Sequence, residues 1–431
     1  MVRRIIPVSS GKGGVGKTTC AINLSLALSR AVPTILVDLD TGTSSVRNTL
    51  DVPIERDLYH FHRRGVPLAD CVTRLGSRLD PDDTFRNFGF VAGPQHYIEE
   101  LAHPDAALRR RLGAAIAKLP AELVVVDLRA GLDAQVLDFL PHTNAGILIF
   151  SPHHPAATRA ASDLVKAIIF RALRTLFAAD SPIFASGDAR RYASLVEDIL
   201  GRVEDVYDPA LPNLEAFLDE LEEAFGRHPI LEVIAAYLGD FKAHYVLNMF
   251  DGVEESYEQA IAPFARNLAD NVSPRLDLRQ LGWVVRDEQV DRANTAGRPI
   301  VLGGAPSAAI ARPPTDRVAE ELGRLEAEFG GGRRSMMVNE RPRSSAHGPA
   351  RRRDRALVET QDLLAGQLRS LTRIYAQRSQ DTLLDNFTYL AHRVLELVDS
   401  GHRSSELGMT SMATRDHLLS WFLRWQRAYG G

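Results

Sequence analysis

Gly11-Lys12-Gly13-Gly14-Val15-Gly16-Lys17-Thr18 fits the pattern GxxxxGK[ST], directly after an apolar run ending at Val8 and just before a helix-compatible segment, Thr18 to Ser29. Strand, glycine loop and helix in that order build a phosphate cradle. The glycines let backbone N–H groups turn inward, the helix N-terminus adds about half a positive charge, and Lys17 brings a point charge to the β- and γ-phosphates. Thr18 is placed to ligate Mg²⁺. The cradle also dictates its surroundings, because the strand before it must be buried between helices.

Apolar runs of strand length occur at Ile5 to Val8, Ile35 to Val37, Leu123 to Val126, Ile147 to Phe150, Tyr245 to Leu247 and Trp283 to Val285. Most are continuous rather than alternating, as strands buried on both faces require. Helix-length segments such as Ala106 to Lys118 lie between them. The expected fold class is therefore α/β: a P-loop NTPase with a mostly parallel sheet covered by helices on both faces, plus a helical insertion and a C-terminal helical tail.

The α/β domain is expected over residues 1–330, with an acidic helical insertion at about 171–242 inside a crossover much longer than a parallel connection needs. Ten acidic residues fall between Val196 and Gly226, against Arg202 as the only basic one. They read either as a solvated helical face or as a docking surface for a basic partner. Residues 331–355 hold eight arginines among Pro, Ser and Gly, which predicts a disordered basic linker, a plain tether or a lipid or DNA contact. In 356–431, Leu364, Leu368, Leu371 and Tyr375, then Leu383, Phe387, Leu390, Val394 and Leu397, recur at helical seam spacing. A last helix, Thr414 to Tyr429, groups Leu418, Phe422, Trp425 and Tyr429.

The net charge of -4 excludes a chain held on nucleic acid or membrane by overall positive charge alone. The two cysteines, Cys20 and Cys71, form no CxxC and argue against a disulfide scaffold or a protein-bound zinc or iron-sulfur centre. No apolar run reaches the ~18 residues that span a bilayer, and no signal-peptide pattern is seen, so a cytoplasmic chain is expected. Five of the 51 basic residues are lysines, and two of the five lie in the glycine loop.

Lys12 is not required by the basic loop pattern. Gly-Lys-Gly-Gly-Val-Gly-Lys-Thr-Thr, ending at Thr19, resembles the deviant Walker A loop of the MinD/ParA group of P-loop ATPases. The resemblance covers roughly residues 3–330 and is closest to the MinD and FlhG (FleN) branch. It implies ATP and Mg²⁺ as ligands and a homodimer formed on ATP binding, in which Lys12 reaches the phosphates of the other subunit and Lys17 serves its own. Both roles suit a compact ammonium rather than a planar guanidinium. Leu36-Val37-Asp38-Leu39-Asp40 resembles the block whose carboxylates orient the attacking water and hold Mg²⁺-bound water. Leu123 to Asp127 resembles the Walker B strand, which puts Asp127 on the metal's outer shell and Gly131 in the switch loop. By the same resemblance Asn248 reads the adenine amide, and Asp287, within Gly282 to Val290, takes the acidic place on the adenine side. Arg129, Ala130 and Val285 depart from the group, which usually has proline in the switch and at the adenine side.

The leading expectation is a MinD/FlhG-like ATPase that dimerises with Mg-ATP, engages a partner or surface, and releases it after hydrolysis, as a switch in cell-pole, flagellar or division-site positioning. The alternatives are a ParA-type partition ATPase on nonspecific DNA, and a nucleotide-binding adaptor with little hydrolysis. An unidentified protein partner is expected at the acidic insertion or the C-terminal helices. The helix over 414–429 has two readings: packing or partner binding, or peripheral contact with the inner face of the cell membrane through Leu418, Leu419, Trp421, Phe422 and Trp425.

Overall fold

The structure is a computed structural model that describes residues 3–41, 45–178, 180–181, 190–204, 211–226, 229–303, 383–399 and 407–429. The linker 331–355 and the seam from Leu364 to Tyr375 lie outside these residues. The first half carries β1 (Arg4–Ser9), α1 (Lys17–Ser29), β2 (Thr34–Asp38), β3 (Phe88–Val91), α2 (Ala106–Ile116), β4 (Leu123–Asp127) and β5 (Asn144–Phe150). The second carries α3 (Pro155–Leu176), α4 (Arg190–Glu204), α5 (Leu214–Phe225), α6 (Pro229–Asp240), β6 (Lys242–Phe250), α7 (Ala262–Asn271), β7 (Asp277–Val285), α8 (Glu288–Thr295), α9 (Leu383–Asp399) and α10 (Arg415–Tyr429). Short helical turns fall between these elements.

The strands form one seven-stranded sheet in the order β3-β2-β4-β1-β5-β6-β7, with every pairing parallel. All six expected strands are present. The seventh, β3, was missed because it is only four residues long and Gly89 interrupts its apolar run. From β1 the chain winds first toward β2 and later toward β5, which makes the carboxyl end of β1 a topological switch point. The glycine loop stands there. The long crossover between β5 and β6 holds α3, α4, α5 and α6, as the excess length predicted.

The C-terminal helices differ from the expected separate region. Leu383, Phe387, Leu390, Val394 and Leu397 are all buried, but their seam lies against α1 and β7 of the sheet core. Leu418, Leu419 and Phe422, which the membrane reading needs on a lipid-facing side, are buried as α10 packs on α3 and α6. An amphipathic helix buries its apolar stripe wherever a complementary surface lies, and here the sheet's own helices offer it. One contiguous hydrophobic core includes both tail helices.

The segment between them reaches the middle of the sheet. β1 and β5 pair only at Val8 and Ser9 with Ile147 and Leu148. Below that point β1 presents Pro7, which has no N–H to donate, and Gly146 sits at φ +62° with no room for a side chain beside the Pro7 carbonyl. Met409 fills the gap, exchanging two backbone hydrogen bonds with Ile5, at 2.8 and 2.9 Å. Asn144 donates from Nδ2 to the Gly408 carbonyl at 2.9 Å and accepts the Gly408 N–H at Oδ1 at 3.2 Å.

Candidate functional site: a phosphate loop at the carboxyl ends of three strands

Gly14 and Gly16 adopt φ of +82° and +79°, the left-handed conformation that lets the loop curl before α1 begins. Gly11 is required for a different reason. A Cβ there would lie 2.1 Å from the Ala160 carbonyl oxygen of α3. Lys12, Gly13 and Gly14 are exposed, whereas Val15 is buried and anchors the loop. α1 carries no acidic residue in its first turn, so its positive end is not neutralised from within the helix.

Lys17 lies inside, 6% exposed, and its Nζ donates to Asp127 Oδ1 at 2.6 Å. Asp127 is fully buried at the end of β4, and its Oδ2 has no hydrogen-bond partner among the described residues. Asp38 stands opposite it in the β2–β4 register and accepts the Asp40 N–H at 3.0 Å. Burial pushes the half-buried Asp40 carboxyl above its ordinary range; the Lys17 cation opposes that rise, Asp127 adds to it, and Arg129 opposes it. Thr18 is half-buried in the first turn of α1. The Gly131 N–H donates to the Ser10 carbonyl at 3.1 Å, which ties the loop after β4 to the strand before the glycines. Arg129 donates from Nη1 to Gln135 Oε1 at 2.7 Å and to the Ala102 carbonyl at 3.3 Å.

Lys17, Thr18, Asp38, Asp40, Asp127 and Gly131 thus lie at the same end of the sheet as the glycine loop. Two other residues are engaged differently. Asn248, at the end of β6, donates from Nδ2 to the Val15 carbonyl at 2.8 Å, so here its amide braces the phosphate loop. Asp287 accepts the Gln289 N–H at 2.8 Å and serves as the N-cap of α8.

Sequence reasoning missed Asn294 and Asn23. Asn294 on α8 donates to Thr19 Oγ1 at 3.1 Å. Asn23, fully buried on α1, donates to the Thr19 carbonyl and accepts the Val301 N–H. A polar amide inside the largely apolar run Cys20 to Leu28 was the available signal for Asn23. Cys20 is inert by environment, since burial pushes its thiol up to about 12.

The hard oxygen donors here, the unpartnered Asp127 Oδ2 among them, fit Mg²⁺. Among the described residues no group of three or more His, Cys, Asp or Glu side chains is arranged as a metal cage. An ion bound beside a nucleotide would draw on Thr18 directly and on Asp127, Asp38 and Asp40 through water. No helix among the described residues is long and apolar enough to cross a membrane.

Comparison with known proteins gives the following. The putative septum site-determining protein MinD of Oltmannsiellopsis viridis is 28% identical over 153 residues, covering 35% of this chain and 45% of that protein. The chain spans about half the length of the MinD relatives it matches. The iron-sulfur cluster transfer protein NUBPL of Dictyostelium discoideum is 25% identical over 293 residues, covering 67% of this chain and 80% of that one. Among solved structures, the septum site-determining protein MinD complexed with Mg-ADP from Pyrococcus horikoshii aligns with a TM-score of 0.40 at 18% identity, covering 69% of this chain and 88% of that one. A family model described as the CobQ/CobB/MinD/ParA nucleotide binding domain matches residues 6–300, more than half of the chain. With that match spanning the glycine loop, the three strand-end aspartates and the sheet that positions them, the chain belongs to the MinD/ParA family of P-loop ATPases.

Proposed function

We propose that the chain hydrolyses ATP to ADP and phosphate and uses the nucleotide as a switch, forming a sandwich dimer around bound Mg-ATP. The observation that carries this reading is the buried Lys17–Asp127 pair beside the glycine loop. Both ends of that pair are desolvated, so each keeps a strong interaction ready for a charged ligand. When triphosphate enters, Lys17 Nζ exchanges Asp127 for phosphate oxygens, which frees both Asp127 oxygens to accept other hydrogen bonds. Bound Mg²⁺ would neutralise charge developing on the phosphates. Asp40, held beside Lys17 and Arg129, orients the attacking water. Thr19, at the end of the loop motif, is braced by Asn294 and keeps α1 in register with the base side.

Lys12 supplies the dimer. Its exposure leaves it free to reach the phosphates of a second copy. Light scattering of the full chain with and without Mg-ATP tests this: ATP is expected to double the mass of the wild type and not that of Lys12→Ala. An unchanged ATP-dependent doubling in the variant would sink the sandwich mechanism.

In the cell the switch fits a role in spatial regulation, a reading supported by its similarity to septum site-determining proteins. A fluorescent fusion that stays diffuse with and without Lys17→Ala would count against that role. The exposed Glu197, Asp198, Glu222 and Glu223 support a docking face for a basic protein, whereas Glu215 and Glu220 are engaged internally by Arg275 and Arg202. An iron-sulfur carrier role is not favoured, because the only cysteines, Cys20 and Cys71, are both buried and form no CxxC.

A further inference from the structure

β7 is the edge of the sheet, so the backbone groups on its outer side have no strand to pair with. The Arg286 N–H donates inward to the Phe250 carbonyl of β6 at 3.0 Å. The preceding N–H, that of Val285, points the other way. It is taken at 3.1 Å by Oδ1 of Asn386, a 1% exposed residue on α9. Nothing local requires this polar side chain in an otherwise apolar seam of Leu383, Phe387, Leu390 and Val394.

The rest of the α9 contact is fitted as closely. Gly282 on β7 adopts φ +156°, and a Cβ there would lie 2.9 Å from Leu390 Cδ2. α9 also packs on α1, the helix that begins with Lys17. Beyond Val285 the chain turns through Arg286 and Asp287 into α8, and α8 returns to α1 through Asn294 and Thr19. The end of β7 is therefore held from two directions, by α9 outside and by β6 inside. It lies at the carboxyl edge of the sheet, beyond Asn248 and the phosphate loop.

We infer that Asn386 is a positioning residue for the nucleoside part of the ligand: by holding the Val285 N–H it sets the turn from β7 into α8 that flanks the base side of the site. This rests on the nucleotide-binding reading above. Asn386 Oδ1 holds the edge strand and not the phosphate loop, so the effect separates the nucleoside from the phosphates.

The test is calorimetric titration of the full chain with Mg-ATP and with Mg-tripolyphosphate, which has phosphates and no nucleoside. Asn386→Ala is expected to bind Mg-ATP about fivefold more weakly, the range of one neutral hydrogen bond, and tripolyphosphate as the wild type does. Asn386→Asp keeps an acceptor and is expected to recover most of the ATP affinity. Equal losses for both ligands, or no loss for ATP, would overturn the inference. Should Asn386→Ala fail to fold, hydrogen exchange at the wild-type Val285 amide replaces it. Slowing by Mg-ATP but not by tripolyphosphate supports the role, and equal slowing by both overturns it. A wild type that binds tripolyphosphate but not ATP overturns the nucleotide reading itself.

Discussion

The two ends of the sheet bury polar groups to opposite effect. At the carboxyl end of β1, β2 and β4, the Asp127 Oδ2 and the hydroxyls of Ser9 and Ser10 have no partner among the described residues, and the Asp40 carboxyl is raised by burial. At the amino end of β1 and β5, both ends of the Asn144 amide are spent: Oδ1 accepts from Gly146 and Gly408, and Nδ2 donates to Gly408. An unpartnered buried polar group costs stability, so it persists where a ligand completes it. A satisfied one rigidifies and specifies the fold. The comparison separates chemistry from architecture within one sheet.

Substitutions at the two ends should therefore fail in different ways. The largest effect is expected for Asp40→Ala at the carboxyl end: phosphate release in a coupled assay falls about 100- to 1,000-fold, as for loss of a group that manages the attacking water, while the melting temperature holds. Next comes Gly408→Val at the amino end. Gly408 adopts φ +69°, and a Cβ there would meet the Ile5 carbonyl oxygen at 2.3 Å. A loss of about 3 kcal/mol in urea unfolding is expected, with Mg-ATP affinity unchanged below the melting point. If that variant lost affinity while remaining folded, the two ends would not be independent.

The middle of the sheet gives a smaller, pH-dependent effect. His244 on β6 is fully buried, neither ring nitrogen has a partner among the described residues, and burial, aided by Arg279, Lys242 and Arg393, lowers its pKa from 6.5 to about 3. Below its ordinary pKa the unfolded chain binds a proton that the folded chain refuses until near pH 3. Stability contributed by neutral His244 is thus present above about pH 6.5 and lost as pH falls, at about 1.4 kcal/mol per unit. His142, lowered to about 4 chiefly by burial, works in the same direction. Urea unfolding of His244→Phe between pH 6 and pH 4 should show roughly half the wild-type slope, and an unchanged slope would mean that His244 is protonated in the fold. The smallest effect is expected at Arg415, whose pair with Asp180 at 2.6 Å is solvent-exposed. Arg415→Ala should leave the melting temperature unchanged, because surface pairs contribute little. A measurable drop would show that α10 is held by charge as well as by its apolar face.

Most of the site was legible because its chemistry is local. The glycine loop, Lys17 and Thr18 are consecutive, Asp38 and Asp127 each end a recognisable apolar run, and Asp40 follows two residues after Asp38. The braces were not legible: Asn23, Asn294 and Asn386 act through partners far along the chain, and their sequence neighbourhoods contain no motif. The tail seams were visible as helices, yet helical periodicity says only that a stripe must be buried and not against what. The apolar face of α10 could have met lipid or protein by pattern alone; Leu418, Leu419 and Phe422 are buried within the chain, and the side chains of Trp421 and Trp425 lie outside the described residues.

From the sequence alone came the phosphate loop, six of the seven strands, the crossover rich in helices and the family. Those features are set by contiguous residues whose spacing carries its own physical meaning. Tertiary structure decided that Lys17 pairs with Asp127, that the helix from Leu383 covers the edge strand, and that Met409 pairs with Ile5 where β1 and β5 part. These outcomes depend on groups far apart along the chain, as Ile5 and Met409 are. Only the packed sheet brings such groups to hydrogen-bond distance.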